Sequence, residues 1–149
     1  MQTCYMCDAQ KTSDEHVPPK CLFPEQKDSP TGTDYRKNLI KVPSCDTHNS
    51  AKSKEDEFFL MYMAANAFTN QAASLHQNTK LLRILDRKPH VWAMLFAQAT
   101  PAKIVGNDGI VHNTCMFRID ANRFYTQMEH IAKGIYFNHY GKKWISNVT

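Results

Sequence analysis

Two short pairs of metal-ligand residues constrain the fold of this chain more than any other feature. Cys4 and Cys7 form a CxxC pair, and Cys45 and His48 form a CxxH pair, with an insert of 37 residues, 8 to 44, between them. Within each pair the spacing lets both side chains reach one tetrahedral Zn²⁺ from a tight turn. Together the pairs supply a closed Cys₃His site, in which zinc has no open position for a substrate and serves an architectural role.

The composition of the first 54 residues indicates why such a site is needed. This segment has four of the five cysteines and five of the seven prolines, but few large apolar side chains and little periodicity. It cannot bury enough apolar surface for a core of its own, so another device must hold it together. In a reducing compartment, cysteines are metal ligands or buried thiols more often than disulfides.

The other two cysteines have different expected roles. Cys21, inside the insert, is the rival zinc ligand, and we otherwise expect it to be a buried thiol. Cys115 lies in an apolar stretch with the pattern of a strand, so we expect it in the core.

Further motifs lie between and directly after the two pairs. The insert contains Glu15-His16-Val17-Pro18 and later Asn38-Leu39, and the second pair is followed at once by Asn49 and then Lys52. In this order around the two pairs, the motifs resemble those of the HNH endonucleases, which are metal-dependent nucleases that cut DNA. The resemblance covers residues 4 to 53, about a third of the chain. It implies a zinc-stabilised ββα-metal fold, similar to a treble clef.

The resemblance and the chemistry of phosphodiester hydrolysis assign catalytic roles. His16 is the expected general base, since an imidazole can be neutral near pH 7 and accept a proton from water. Glu15 and Asn49 would supply hard oxygen ligands to a second, catalytic cation, Mg²⁺ or Mn²⁺. The resemblance implies that Asn38 holds the loop that aims His16.

Substrate binding is expected to depend on nearby positive charge. Lys20 and Lys52 are the expected contacts of a DNA phosphate, together with the N-terminus of the helix that contains Lys52.

Two features depart from the family's pattern. Glu15 stands where aspartate is the commoner residue, so its carboxylate reaches one methylene further. The second pair ends in His48, so either His48 or the next residue, Asn49, could be the ligand of the catalytic cation. Because zinc would otherwise have only three ligands, we assign His48 to zinc and Asn49 to the catalytic cation.

The remaining residues, 55 to 149, have the periodicity of regular elements. A stripe of apolar residues from Phe58 to Leu75 predicts a helix that begins near the acidic run 55–57, or earlier near Thr47. Residues 80–99 predict a second helix that Pro89 breaks or kinks. Residues 102–119 predict a β-hairpin with its turn at 107–109. A last helix is predicted from Ala121 to about Asn138, capped by Asp120, with Phe124, Met128, Ile131 and Ile135 on one side.

The expected fold class is therefore α+β, in two parts. Residues 1–54 form the module with structural zinc, called the zinc module below, and residues 55–149 form a helical and hairpin extension. We expect the extension to pack on the zinc module and to position DNA or to pair two protomers as a homodimer.

Charge and hydropathy narrow the range of functions. The chain has 18 Lys and Arg against 14 Asp and Glu, a net charge of +4, and an isoelectric point near 8.8, which suits a partner such as DNA. No apolar run approaches the roughly 20 residues that span a bilayer, so we expect a cytoplasmic protein with no membrane partner.

Two classes of function are consistent with these observations. The first is a DNA endonuclease, and the second is a non-catalytic zinc module that binds nucleic acid or a protein. We favour the endonuclease because a pure binder does not need Glu15 and His16 placed opposite Asn49.

Overall fold

The computed structural model describes residues 2–64, 70–90, 93 and 97–146. Its elements, in chain order, are β1 (Ser13–Val17), β2 (Ile40–Ser44), α1 (Ser53–Ala64), α2 (Gln71–His76), α3 (Leu82–Arg87), β3 (Thr100–Val105), β4 (Val111–Met116) and α4 (Ala121–Tyr140). Two 3₁₀ turns, Asp46–His48 and Ser50–Lys52, lead into α1, and a π-helical stretch, Gln77–Leu81, joins α2 to α3. Over the described residues the protein is α+β with two antiparallel hairpins, which confirms the expected class. None of the helices described is both long and apolar enough to cross a membrane.

The first hairpin organises the zinc module. Strands β1 and β2 pair antiparallel, with Ser13 opposite Ser44 and Val17 opposite Ile40. Along β1 the side chains of Glu15 and Val17 are buried, and the alternating residues are not, as expected for a strand with one face toward the interior. The backbone N–H of Tyr5 donates to the carbonyl of Pro43 at 2.8 Å, so the first ligand pair lies against the end of β2 where the second pair begins.

The core of the zinc module is small and is completed from outside it. Its buried cluster consists of Cys4, Tyr5, Val17, Val42 and Cys45. From helix α4, Ile131 and Phe137 pack against this cluster. Helix α4 thus supplies apolar contacts that the first 54 residues lack.

Gly134 permits the close approach of α4 to β1. A Cβ atom at this position would lie 2.6 Å from Cγ2 and 2.8 Å from Cγ1 of Val17. We expect Gly134→Ala to lower the free energy of unfolding by about 1–2 kcal/mol, because overpacking outweighs the higher helix propensity of alanine. Urea unfolding of the zinc-loaded protein measures this effect.

Val17→Ala provides the matched background for that test. In this background Gly134→Ala should lower the free energy of unfolding by less than in the wild type, since the clashing methyl groups of Val17 are gone. An increase in stability from Gly134→Ala alone would contradict the close approach.

The predicted helices differ from the observed ones in the middle of the chain. The first was expected to continue to Leu75, but Asn70 has an extended backbone and caps α2, accepting a hydrogen bond from the N–H of Ala73 at 2.9 Å. Residues 65–69, which include the predicted Phe68, lie outside the described residues. The second helical segment starts at Gln71 rather than near residue 80, and α3 ends at Arg87, ahead of Pro89. Residues 91, 92 and 94–96 of that prediction are also outside the described residues.

Helix α4 begins at Ala121 as predicted and ends at Tyr140, two residues beyond the predicted end. Asp120 caps it, accepting from the N–H of Arg123 at 3.1 Å. The predicted apolar side of the helix is buried in part: Ile131 packs against the core and the ring of Phe124 lies 5.2 Å from that of Phe59. Met128 and Ile135 are 43% and 44% exposed, whereas Gln127 and Gly134 are buried. The helix approaches β1 too closely for large side chains at the contact, so a small residue occupies it.

The expected core position of Cys115 is wrong. Its side chain is exposed on β4, because the face of the β3–β4 hairpin that includes it lies open among the described residues.

Candidate functional site

The four predicted zinc ligands come together in the structure. The Nδ1 atom of His48 lies 3.5 Å from the Sγ atoms of Cys4 and Cys7 and 3.3 Å from that of Cys45, and the Sγ atoms of Cys7 and Cys45 are 3.8 Å apart. All four ligand atoms lie within 4.8 Å of one another. Tetrahedral bonds of about 2.3 Å to sulfur and 2.0–2.1 Å to nitrogen require separations of about 3.8 Å and 3.6 Å. The cluster therefore fits a metal such as zinc, and the predicted Cys₃His arrangement is confirmed.

Local backbone geometry forms the two turns that hold the ligands. The N–H of Cys4 donates to the carbonyl of Ala9 at 2.9 Å, and the N–H of Met6 donates to the Sγ of Cys4 at 3.4 Å. In the second turn the N–H of His48 donates to the carbonyl of Cys45 at 3.1 Å. Burial opposes ionisation of Cys45, but the backbone N–H of His48 and neighbouring thiols outweigh it, so the pKa of Cys45 lies below its ordinary value. A lowered thiol pKa favours the thiolate that binds metal.

The structure settles the register of the second pair. His48 belongs to the cluster, whereas the Nδ2 of Asn49 donates to the Oγ of Ser13 at 2.8 Å and to the carbonyl of Asp14 at 3.4 Å. The rival ligand Cys21 lies elsewhere, with its thiol 3.5 Å from the carbonyl of Asp56. Burial raises the pKa of Cys21 to about 11, which disfavours a thiolate at this position.

The C-terminal segment braces the first ligand pair. The Nζ of Lys143 donates to the carbonyl of Cys7 at 2.7 Å and to Oδ1 of Asp8 at 2.9 Å. Sequence reasoning missed this contact, because no local pattern indicates a partner 136 positions away.

His16 lies on the outer face of β1 among positive charges. Lys41 is directly opposite it on β2, and Lys20 and Arg36 come from the connection between the strands. Burial, and then the charges of Lys20, Lys41 and Arg36, lower the pKa of His16 from its ordinary value, while Asp14 opposes this effect. We call these five residues the His16 surface. Its electrostatics favour a neutral imidazole next to cationic groups that can bind a phosphate.

Asn38 precedes β2 in a left-handed conformation. Its φ angle is +59°, a region that asparagine tolerates better than most residues. Its side chain is exposed in the turn that returns the chain toward the partner strand of His16. Its role in aiming His16 stays a prediction.

Glu15 and Lys52 are in the interior. They are 4% and 5% exposed and form an ion pair with each other, and Lys52 also lies 3.2 Å from Oδ1 of Asp56. The Oγ of Ser44 donates to the second carboxylate oxygen of Glu15 at 3.3 Å. Burial, followed by the charge of Glu15, raises the pKa of Tyr5 far above its ordinary value, so its phenol stays protonated.

The structure gives different surroundings to several residues that the sequence assigned to one site. Lys20 is exposed as expected for a phosphate contact, but Lys52 is buried between two carboxylates and does not face a substrate. The physical reason is that a buried carboxylate needs a cationic partner, which Lys52 supplies. Glu15 and Asn49 also contact different partners. Glu15 contacts Lys52 and Ser44, whereas Asn49 contacts Ser13 and Asp14.

Comparison of the chain with protein-family models, with curated proteins and with solved structures finds no match in any of the three. The resemblance to the HNH endonucleases therefore rests on sequence motifs, and the function drawn from it is a proposal.

Proposed function

We propose that this protein is a zinc-stabilised HNH-type endonuclease that hydrolyses phosphodiester bonds in DNA, with His16 as the general base. The observation that carries the proposal is the His16 surface, where burial and three cationic side chains favour the neutral imidazole. A histidine used only for structure does not need cationic neighbours that weaken its protonated form. The order of the sequence motifs around the Cys₃His cluster supports the same function.

The side chains of the His16 surface suit the two main demands of the reaction. The neutral imidazole of His16 accepts a proton from the water that attacks phosphorus. The ammonium groups of Lys20 and Lys41 stabilise the negative charge that develops on the phosphoryl oxygens, and as the P–O bond breaks the leaving sugar oxygen takes a proton from one of these ammonium groups or from water. Arg36 contributes positive potential nearby, because its Nε donates to the carbonyl of Phe23 and its guanidinium pairs with Glu25. The zinc cluster takes no part in the chemistry, because its four protein ligands leave no open position.

Of the two oxygen ligands expected for a catalytic Mg²⁺ or Mn²⁺, Glu15 does not fit such a cation in this arrangement. The carboxylate of Glu15 is engaged by the ammonium of Lys52 and the hydroxyl of Ser44. Asn49 donates through its amide nitrogen to Ser13 and Asp14, which orients the amide without engaging the oxygen that would bind a cation, so the misfit lies in Glu15. An ammonium against the carboxylate repels a divalent cation, so the proposed steps assign Glu15 no role as a cation ligand.

A plasmid-nicking assay tests the proposal. The zinc-loaded protein is treated with EDTA, and Mg²⁺, Mn²⁺ or Ni²⁺ is then added to separate samples. We expect nicked DNA in at least one condition and none with His16→Ala. DNA binding without a product in every condition would instead identify the non-catalytic zinc module.

The pH dependence of cleavage follows from the lowered pKa of His16. Because the neutral imidazole is the active form, kcat/KM should rise with pH and level off, with its midpoint below the ordinary histidine value of about 6.5. Lys41→Gln removes a charge that disfavours protonation, so the midpoint should move to higher pH. Lys103→Gln, at an exposed position of β3, is the control and should leave the midpoint in place. A midpoint that moves down in Lys41→Gln would contradict this account.

A further inference from the structure

We infer that Glu15, Lys52 and Asp56 form a buried ionic triad that positions His16, and that Glu15 is a positioning residue rather than a ligand of a catalytic cation. The inference rests on the proposed function for its kinetic consequences but not for its structural ones. The triad occupies the interior between β1 and α1, on the face of β1 opposite His16.

The contacts of the triad make each member depend on the others. The side chains of Lys52 and Glu15 are 6% and 4% exposed, and that of Asp56 is 23% exposed. Lys52 contacts both carboxylates, at Oε1 of Glu15 and at 3.2 Å from Oδ1 of Asp56. A buried charge is costly unless it is paired, so the removal of one partner leaves the others uncompensated.

The triad connects the three elements that define the position of His16. Glu15 directly precedes His16 in β1. Lys52 ends the 3₁₀ turn that leads into α1, and Asp56 lies in the first turn of α1, four residues after Lys52. Ser44, which donates to Glu15, ends β2 and directly precedes the ligand Cys45. Consecutive side chains of a strand point to opposite faces, so the pairing of Glu15 inside the protein keeps His16 outside.

Lys52 distinguishes positioning from cation binding. If Glu15 bound a catalytic cation, the ammonium of Lys52 would compete with that cation, and Lys52→Met would tighten cation binding. If the triad positions His16, Lys52→Met and Glu15→Gln should have the same kind of effect, because each breaks the same set of contacts. The two roles therefore predict different results for Lys52→Met: a lower kcat with an unchanged cation requirement if the triad positions His16, and a lower cation requirement if Glu15 binds the cation.

The experiment compares Glu15→Gln, Lys52→Met and the double variant with the wild type. Glu15→Gln is isosteric, and the double variant removes both charges of the closest pair, so these two keep the test valid if Lys52→Met alone does not fold. Lys54→Met, which changes an exposed lysine of α1, is the matched control. The readouts are zinc content, the NMR signal and titration midpoint of His16, and kcat, KM and the divalent-cation concentration for half-maximal cleavage.

We expect each single variant to retain zinc, to shift the His16 signal and midpoint, and to lower kcat by about 10- to 100-fold, as small misplacements of a catalytic group do. The cation concentration for half-maximal cleavage should stay within about twofold, and the double variant should be no worse than the poorer single variant. Lys54→Met should match the wild type in every readout.

Two results would overturn the inference. One is an unchanged His16 signal and midpoint in the folded, zinc-loaded Glu15→Gln or double variant. The other is a cation requirement that rises in Glu15→Gln and falls in Lys52→Met, which would make Glu15 a cation ligand. If the wild type cleaves no DNA, the proposed function fails, while the NMR comparison still decides whether the triad positions His16.

Discussion

Cys45→Ala is expected to yield a protein without tightly bound zinc and without a folded zinc module. The Sγ of Cys45 lies 3.3 Å from Nδ1 of His48 and 3.8 Å from Sγ of Cys7, so its removal leaves the cluster with three ligands. Among the described residues, the hydrophobic cluster of the module consists of the ligands Cys4 and Cys45 with Tyr5, Val17 and Val42, which is a small core. Structural zinc contributes about 10–16 kcal/mol in small modules, which matches or exceeds the whole stability of a typical domain, about 5–15 kcal/mol. Metal analysis and amide NMR spectra measure both losses.

Two other cysteines provide matched controls. Cys115→Ala changes an exposed thiol far from the cluster in sequence and should retain both zinc and the amide spectrum. Cys21→Ala changes the rival ligand and should also retain zinc, because its thiol lies against the carbonyl of Asp56. Zinc loss in Cys21→Ala, or normal zinc content in Cys45→Ala, would refute the assigned ligand set.

Local spacing explains why the metal cluster could be predicted from the sequence. Each ligand pair is formed by a tight turn, and the turn geometry depends on a few neighbouring residues such as Ala9 and Met6. The same holds for the cap of α4 at Asp120, whose partner is three residues away. Contacts between residues a few positions apart are determined by the local sequence, so a single sequence is sufficient to predict them.

The burial of Lys52 could not be predicted in the same way. Lysine is almost never fully buried unless it is paired, and here its partners are Glu15, which is distant in sequence, and Asp56. Read locally, a lysine at the start of a helix suggests a phosphate contact. Only the ion pairs of Lys52 with Glu15 and Asp56 in the folded protein show that the lysine compensates buried carboxylates.

The buried face of α4 could be predicted only in part, for a related reason. Periodicity identifies apolar residues such as Met128 and Ile135, but it does not show how closely a helix approaches its neighbour. Against β1 the separation is so small that Gly134 makes the contact, and the large side chains lie at its margins. Distances between helices, and between a helix and a strand, depend on the whole fold, so the periodicity of apolar residues does not predict them.

His16→Ala is expected to lower cleavage by about 10²- to 10⁴-fold, the contribution of a positioned general base. The substitution removes an imidazole from the outer face of β1 and leaves the contacts of Glu15 on the inner face in place. Zinc content should therefore be unchanged. DNA binding should be nearly intact as well, because the cationic side chains of Lys20, Lys41 and Arg36 remain.

The test combines single-turnover cleavage with a DNA-binding titration and metal analysis on the same preparations. His112→Ala, at an exposed position of β4, is the matched control and should cleave at the wild-type rate. Lys20→Ala should weaken DNA binding and lower the rate of the cleavage step by less than His16→Ala does, since Lys41 still stabilises the phosphoryl oxygens. Cleavage by folded His16→Ala within a few-fold of the wild type would exclude His16 as the base, and the His16 surface would then have to act in binding alone.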